Sequence, residues 1–208
     1  MSFNCPSGAS IQTSLAPTNI AFWYKNTSPA NNGNIVSKHE TGNSEGGYTL
    51  YRNGVTNTLA ILARNAAGSV AFNVGGSAAV IDGAWHHIAL LMDFTNGGTN
   101  QVYVDNALDM NTTAALAWGG TVQTLRFGRA FDTFWGNQPG EFAEAGLWSG
   151  TLTAAHVESL AKGFSPKLVS PSTLIGYLPL VGVLKDLKGT AITTAGTPAA
   201  TAHIASRG

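Results

Sequence analysis

Glu141 and Glu144 form the closest pair of carboxylates in the sequence that could act on a glycosidic bond. A glycosidase needs two carboxyl groups facing one cleft, one as the acid and one as the nucleophile or base. The two glutamates are three residues apart, and on a regular strand an odd separation directs them to opposite faces. A β-bulge could restore the geometry, but the spacing argues against catalysis. A polar structural role for Glu144 is the alternative.

The five histidines and the lone cysteine form no metal-binding or redox motif. His86 and His87 are adjacent, so on a strand their side chains point to opposite faces and cannot hold one ion together. The other histidines are scattered, and the absence of HxH or HExxH spacing argues against a zinc site. Cys5 has no partner for an intrachain disulfide, and we expect a small, partly buried residue near the terminus.

A loop rich in aromatic residues is the strongest exposed candidate for a binding site. From Phe131 to Pro139 the sequence reads FDTFWGNQP. Aromatic rings beside amide and acidic groups are used both to stack on sugars and to anchor protein interfaces. An alternative interpretation is that the rings fold back and cover the open end of the domain. The candidate binding or interface residues are Phe131, Phe134, Trp135 and Asn137.

The stretch from Asp82 to Met110 predicts the centre of an antiparallel sheet. From Trp85 to Phe94 apolar side chains occupy both alternating faces, which is typical of a strand buried on both sides. Asn96-Gly97-Gly98 then supplies a turn, and Val102-Tyr103-Val104 a returning strand that ends in a second turn at Asp105-Asn106. This sequence of hairpins indicates an antiparallel sandwich.

Elsewhere short apolar runs alternate with turn-forming residues. One helix of about two turns is predicted near residues 154–162, with Thr153 as N-cap, Leu152 and Val157 as a hydrophobic staple, and Gly163 as its stop. Residues 111–120 predict a loop, and the tail beyond residue 186 predicts either an edge strand or an arm. Further strands are predicted near residues 11–15, 19–25, 34–38, 48–51, 58–63, 69–74, 121–128, 141–148 and 174–178.

Several of these segments resemble a known fold family. WHHIAL, an acidic residue, a Gly-rich turn and VYVDN are similar to the central hairpin of laminin-G-like members of the concanavalin A-like lectin and glucanase group. LRFGR, GEFAEAGLW and LTAA resemble that group's closing strands and short helix in the same order, and FWYK near the start agrees. The resemblance runs from about residue 9 to residue 164. It implies an all-β, antiparallel jelly-roll β-sandwich with one short α-helix.

The resemblance also has implications for chemistry. Hydrolases of the group resemble Glu-x-Asp-x-Glu, where even spacing puts three acids on one face, and this chain lacks that pattern. Where relatives carry a capping Glu this chain has His156, so we expect no capping box. We expect no cofactor, but many relatives bind calcium through loop oxygens. Such oxygens could come here from Asp132, Asn137, Gln138 and Glu141, which match no ligand motif.

Composition limits the classes of partner. The chain has 208 residues, 25 of them glycine, and 11 basic residues balance 11 acidic ones. This balance argues against an electrostatic nucleic-acid partner, and no apolar run approaches membrane-spanning length. The amino terminus lacks the basic and apolar regions of a signal peptide, so we expect no export. We expect one domain over residues 1–208, with residues 1–8 and 181–208 as terminal arms.

Together these features predict a protein that works by contact and not by catalysis. We expect a structural protein of a virus particle, most simply a decoration or cement protein on a bacteriophage head, since similar domains recur among phage structural proteins. Its partners would be further copies of itself or the major capsid protein, and its location the virion. The competing hypothesis is a carbohydrate-binding lectin module, with calcium dependence left open. A glycoside hydrolase is the third class, because this fold hosts all of them.

Overall fold

Two eight-stranded sheets dominate the structure, a computed structural model that describes residues 2–5, 10–13, 18–26, 33–39, 46–93, 98–114, 124–129, 136–180, 186–189, 191–195 and 197–201. The first sheet contains β1 (Ser2–Cys5), β3 (Asn19–Lys25), β8 (Trp85–Leu91), β9 (Asn100–Val104), β10 (Ala107–Thr112), β13 (Gly140–Trp148), β14 (Leu174–Leu178) and β16 (Ala199–Thr201). The second contains β2 (Ser10–Thr13), β4 (Gly33–Lys38), β5 (Gly47–Arg52), β6 (Leu59–Arg64), β7 (Val70–Gly75), β11 (Leu125–Phe127), β12 (Gly136–Asn137) and β15 (Ile192–Ala195). A helix, α1 (Ala154–Ala161), and a 3₁₀ turn (Pro166–Leu168) lie between β13 and β14.

Strand order confirms the predicted antiparallel sandwich. In the first sheet β8 lies between β3 and β9. Both of its faces are apolar because Ile88 and Leu90 enter the core between the sheets, whereas Ala89 and Leu91 belong to a second apolar cluster on the other side. In the second sheet β4, β5, β6 and β7 pair successively as a meander, which agrees with the strands predicted near residues 34–38, 48–51, 58–63 and 69–74. The predicted turn between β9 and β10 has positive φ at Asp105 (49°) and Asn106 (69°), the conformation that tight hairpins favour. Pairing is antiparallel throughout, except that β12 runs parallel to β4.

The main core lies between the two sheets. Side chains at alternate positions of each sheet meet there, and Phe22 of the first sheet packs edge-on against Phe127 of the second with 5.7 Å between ring centroids. Phe142 contacts both rings, at 5.9 Å from Phe22 and 5.7 Å from Phe127. Burying one such side chain contributes about 1.5–3 kcal/mol. This aromatic group therefore holds the sheets together.

A second apolar layer lies on the far side of the first sheet, under α1. Val157, the predicted staple residue, packs there with Leu160 of the helix and with Trp148 and Leu91 of the sheet. The indole Nε1–H of Trp148 donates to the Val169 carbonyl at 2.9 Å, so this buried donor has a partner. The helix thus covers much of one outer face.

The caps of α1 correct one prediction. Thr153 is the N-cap and Gly163 has φ 88°, as predicted. However, the capping box that His156 was expected to lack is present. The His156 backbone N–H donates to Thr153 Oγ1 at 3.3 Å, and the Thr153 backbone N–H donates to His156 Nδ1 at 3.2 Å. An imidazole nitrogen accepts a hydrogen bond as a Glu oxygen would, and the expectation overlooked this capacity.

Strand β10 was not predicted. Its sequence, ALDMNT, alternates weakly because β10 lies at the edge of the first sheet and is largely exposed. Near the termini, β1 pairs with β13 and β16, and β15 pairs with β2, so both segments expected as arms contribute strands to the sheets. Among the described residues, no helix has the length and apolar character needed to cross a membrane.

Candidate functional site

A bulge in β4 puts two polar side chains on the same side of the second sheet. Ile35 and Val36 are consecutive, yet both are buried in the core between the sheets, and the register of β4 on β5 shifts here. An extra residue of this kind changes which side chains share a face. Asn34 and Ser37, although three residues apart, therefore both face away from the core. The Thr49 hydroxyl lies between them and donates to Asn34 Oδ1.

A row of side chains crosses this outward side of the sheet through Ser37. The register aligns Arg126 with Ser37, Ser37 with Thr49, Thr49 with Leu62, and Leu62 with Asn73. Arg126 is half-buried and Asn73 is exposed, so both ends of the row approach solvent. We call the guanidinium, hydroxyl and amide groups of this face the outer patch, formed by Asn34, Ser37, Thr49 and Arg126.

Two polar atoms of the outer patch, Asn34 Nδ2 and Ser37 Oγ, have no hydrogen-bond partner within the described chain. The two residues are 0% and 1% exposed, so solvent is not their partner either. Leaving a buried donor or acceptor unpaired costs about 1–3 kcal/mol. Native proteins retain such groups where a water, an ion or a ligand supplies the missing bond. The outer patch is therefore a candidate binding site.

Both ends of the predicted aromatic loop join the sheet beside the outer patch. The Gly128 N–H donates to the Ile35 carbonyl at 2.7 Å, and the Gln138 N–H donates to the Asn34 carbonyl at 3.2 Å. Within β12, Asn137 aligns with Asn34, although only its backbone is described. The loop thus leaves and rejoins the second sheet at the bulge. The candidate residues Phe131, Phe134 and Trp135 themselves lie outside the described residues.

Sequence reasoning missed the outer patch, although it predicted the strand that carries it. Regular alternation over residues 34–38 assigns Asn34 and Ser37 to opposite faces. The bulge reverses this assignment, and the one local signal is the pair of apolar residues, Ile35 and Val36, enclosed by two polar ones. Arg126, which the register brings beside Ser37, is remote in sequence, and its position depends on the pairing of β11 with β4.

The described residues among the suggested calcium ligands contact different parts of the structure. Glu141 forms an ion pair with Lys25, with 3.5 Å between Oε1 and Nζ, and both side chains belong to the first sheet. Gln138 is fully buried against Gly33 of the second sheet. Asp132 lies outside the described residues, and for Asn137 the backbone alone is described. The described members thus do not form a shared set of oxygen ligands, and calcium binding stays a prediction.

The two glutamates do not follow the expected alternation. The register of β13 on β3 shifts between Ala143 and Gly146, and Glu144 has φ 50°, so β13 contains a bulge. Glu144 accepts a hydrogen bond from the hydroxyl of Tyr177, a residue of the apolar layer under α1. Glu141 faces the same outward side of the first sheet. The prediction of opposite faces is therefore wrong, because it assumed a regular strand.

The two carboxylates nevertheless have different partners. Burial raises the pKa of Glu144, and the hydrogen bond from Tyr177 opposes this shift. Glu141 is paired with Lys25, whose ammonium also lies 6.0 Å from the centre of the Trp85 ring. A glycosidase pair needs both carboxyl groups directed at one substrate bond. Here one carboxylate is joined to a phenol and the other to an ammonium group, which supports structural roles.

His86 and His87 face different neighbours, as predicted. The His86 ring bridges two carboxylates, with Nδ1 2.7 Å from Asp105 Oδ2 and Nε2 3.0 Å from Asp82 Oδ1. The His87 ring packs edge-on against Trp23 at 5.3 Å between centroids. Within the described ranges, no three His, Cys, Asp or Glu side chains are grouped closely enough to hold a metal ion.

The environments of these histidines shift their pKa values in opposite directions. Burial lowers the pKa of His87 to about 4, and the nearby Asp105 carboxylate only partly offsets this. For His86 burial also disfavours the charged ring, but the hydrogen bonds to Asp105 and Asp82 outweigh it and raise the pKa. The His86 ring therefore ties the loop before β8 to the turn after β9. These contacts support a structural role for both histidines.

Comparison with known proteins decides the family. A family model described as concanavalin A-like lectin/glucanases superfamily matches residues 5–158 of the 208-residue chain. The chain belongs to this superfamily. The matched segment includes β4, the central hairpin of β8 and β9, and β13. All four residues of the outer patch therefore lie within the matched region. No curated protein shows significant similarity to the chain.

Solved structures with the same fold share little sequence with this superfamily member. The CBM40 of the Ruminococcus gnavus IT-sialidase matches with a TM-score of 0.59 and 15% identity, covering 77% of this chain and 96% of that one. A heptameric SAP-like pentraxin from Limulus polyphemus matches with a TM-score of 0.55 and 15% identity, covering 77% and 81%. The receptor-binding domain of botulinum neurotoxin D matches with a TM-score of 0.57 and 13% identity, covering 77% of this chain but 43% of that one. These likenesses show the fold alone.

Proposed function

We propose that this chain is a carbohydrate-binding module that recognises hydroxyl-rich ligands through the outer patch. The unpartnered Asn34 Nδ2 and Ser37 Oγ carry the proposal, because amide donors and hydroxyls are suited to bond sugar hydroxyls. The Thr49 hydroxyl donates to Asn34 Oδ1, which fixes the orientation of the amide and leaves Nδ2 as the available donor. The patch thus offers a donor and a hydroxyl in fixed positions.

The surroundings of the outer patch support this proposal. The aromatic loop rejoins the sheet at Asn137, and its rings would be suited to stack on a sugar. Arg126 adds a positive charge for an acidic sugar. Among the relatives of similar fold, the CBM40 of the Ruminococcus gnavus IT-sialidase has been solved bound to α2,3- and α2,6-sialyllactose. Sialyllactose is therefore one probe worth testing here.

The burial of Asn34 and Ser37 has a consequence for binding. Because the two residues are shielded from solvent, a ligand that bonds them must first displace whatever shields them. We expect a local rearrangement at β4 on binding, so association should be slower than the roughly 10⁵–10⁷ M⁻¹s⁻¹ of preformed sites. A stopped-flow measurement of the association rate, with a glycan that the protein binds, would detect this slow step.

A glycan array tests the proposal. We expect saturable binding of a subset of glycans, including acidic ones, by the wild-type protein. Ser37→Ala and Asn34→Ala should each reduce affinity roughly tenfold or more, since each removes a hydrogen bond made in a shielded site. Trp135→Ala should also reduce binding if the predicted loop stacks on the sugar. Ser69→Ala, an exposed serine in the turn between β6 and β7, is the matched control.

Two results would count against the proposal. An array without binding across neutral and acidic glycans would remove it, and so would binding that Ser37→Ala and Asn34→Ala leave unchanged. Repeating the array with EDTA tests the calcium prediction separately, because a calcium-dependent lectin loses binding when the ion is removed.

The absence of catalysis is part of the proposal and has its own test. The pairing of Glu141 with Lys25 and of Glu144 with Tyr177 supports it. We expect no release of reducing sugar from any polysaccharide that binds. Measurable cleavage that Glu144→Gln abolishes would show that the chain is a hydrolase.

The role as a decoration or cement protein in a virion stays a prediction. A carbohydrate-binding module is favoured over it by the outer patch, whereas no contact described above favours the virion role. Imaging of the native source would test it, because a decoration protein occupies a regular lattice on the shell and binds capsid protein in a mixture. Self-association and a capsid partner are tested by the same experiment.

A further inference from the structure

A pocket opens on the other side of the sandwich, at the rim of the first sheet. Its volume is about 150 Å³, well above the roughly 10–15 Å³ that a cavity needs to hold one water. It lies where β8 ends at Leu91, where β9 begins near Gln101, and where the link from β13 to α1 passes at Thr151. Asn19 of β3 completes the lining, so four separate chain segments build the pocket. The pocket is distinct from the outer patch, which belongs to the second sheet.

The floor of the pocket is apolar and firmly held. Leu91, Met92 and Leu152 line it and are 5%, 4% and 2% exposed. Asn19 fixes the wall, because its Nδ2 donates to the Gly150 carbonyl at 3.0 Å and its Oδ1 accepts from the Leu152 N–H at 3.4 Å. The link that carries Thr151 is thus tied to the sheet, and the pocket is formed before any ligand arrives.

The rim of the pocket is polar. Thr99 and Thr151 are exposed and present hydroxyl groups. The Gln101 Oε1 accepts from the Tyr103 hydroxyl at 3.3 Å, which orients the amide so that Nε2 is its donor. Two hydroxyls and an oriented amide donor therefore surround an apolar floor. This combination suits a ligand with one apolar face and a polar edge.

A sugar ring has this chemistry, because its C–H groups form an apolar face and its hydroxyls radiate from the edge. A cation fits less well. Calcium takes six to eight oxygen ligands, whereas among the described residues Asp93 is the one carboxylate that lines the pocket and the floor is hydrocarbon. We propose that this rim pocket binds a single sugar ring and is a second carbohydrate contact of the domain. Sugar binding in the rim pocket does not depend on whether the outer patch binds glycans.

Titration of the ¹⁵N-labelled full chain with D-glucose, D-galactose and N-acetylglucosamine tests the rim pocket. At least one sugar should shift the backbone amide signals of residues 91–93, 99–101 and 151–152, with millimolar affinity, about −4 kcal/mol. Thr151→Trp places a large ring in the pocket at an exposed position and should weaken binding roughly tenfold or more. Thr113→Trp, an exposed threonine near the end of β10, is the matched control and should bind normally.

Gln101→Leu keeps the approximate shape of the side chain and removes the amide donor. This variant tests sugar binding in the rim pocket if Thr151→Trp disturbs the fold. It should weaken binding severalfold. The inference is overturned if none of the three sugars shifts these amides, or if binding persists unchanged in a folded Thr151→Trp or Gln101→Leu variant. Ser37→Ala should leave the titration unchanged, so failure of the outer patch and failure of the rim pocket are distinguishable.

Discussion

Trp148 and Ser37 lie on opposite outer sides of the sandwich and are both buried, but they differ in their hydrogen bonds. The indole of Trp148 lies under α1 and donates to the Val169 carbonyl at 2.9 Å. The hydroxyl of Ser37 has no partner within the described chain, and neither has the neighbouring Asn34 Nδ2. The surroundings of Trp148 therefore resemble a second core that stabilises the fold. The outer patch retains two adjacent unpaired polar groups, an unfavourable arrangement that the proposed binding role would explain.

Removal of Trp148 should have the largest effect on stability. Trp148→Ala deletes a ring that is 0% exposed and leaves the Val169 carbonyl without its donor. We expect the free energy of unfolding to fall by about 3–5 kcal/mol. Urea denaturation followed by circular dichroism measures this loss. Trp85→Ala, at a partly exposed position on the same face, should cost clearly less, and equal losses would show that the layer under α1 is not a cooperative core.

Protonation of His87 should destabilise the helix-covered face at low pH. The folded pKa of about 4 lies below the ordinary 6.5, so between these values the unfolded chain binds more protons. Stability is therefore fully present above pH 6.5 and decreases as the pH falls towards 4. The shift corresponds to at most about 3 kcal/mol. Urea midpoints measured across this range should show the decrease.

Two variants separate the histidines. His87→Gln should flatten the pH dependence between about 4 and 6.5. His86 has a raised folded pKa, so its contribution is present below its ordinary pKa and is lost as the pH rises through the raised value. His86→Gln should therefore flatten the dependence on the alkaline side. If His87→Gln retains the full acid-side decrease, the burial of this ring is not its cause.

A pair of hydroxyl deletions compares partnered and unpartnered groups within the outer patch. Thr49→Val removes the donor to Asn34 Oδ1 and should lower the free energy of unfolding by about 1–2 kcal/mol. Ser37→Ala removes a buried hydroxyl with no described partner and should leave stability unchanged or raise it by up to about 1 kcal/mol. Chemical denaturation of both variants gives the comparison. A loss in Ser37→Ala as large as that in Thr49→Val would mean that the Ser37 hydroxyl is already satisfied.

The capping box of α1 should give the smallest effect. His156→Ala removes the acceptor for the Thr153 backbone N–H and should lower the free energy of unfolding by about 0.5–1 kcal/mol. His156→Glu supplies an equivalent acceptor and should restore most of the loss. Thermal unfolding of the three proteins checks this. If His156→Glu is no more stable than His156→Ala, the hydrogen bond does not contribute.

The fold was predictable because its strands follow regular rules. The alternation from Trp85 onward predicted a central strand, and Thr153 and Gly163 marked the ends of the helix correctly. These features depend on side-chain period and local backbone preference, which the sequence states directly. The edge strand β10 was missed because a solvated edge needs no apolar alternation.

The candidate site was predictable only in part, and bulges are the reason. One bulge brings Asn34 and Ser37 to one face, and another puts Glu144 on the same side as Glu141. Each arises from strand pairing and leaves little trace in the sequence, so arguments from even and odd spacing fail there. A binding role for the aromatic residues Phe131, Phe134 and Trp135 stays a prediction. The backbone on either side of their loop joins the second sheet beside Asn34.

A crystal structure of the protein bound to the glycan that binds most tightly on the array tests the central claim most directly. The proposal predicts sugar oxygens within about 3.2 Å of Asn34 Nδ2 and of Ser37 Oγ, in a ligand that lies along the row towards Arg126. A glycan bound elsewhere, with an ordered water or a protein atom bonded to both groups, would contradict the claim that the outer patch is a binding site.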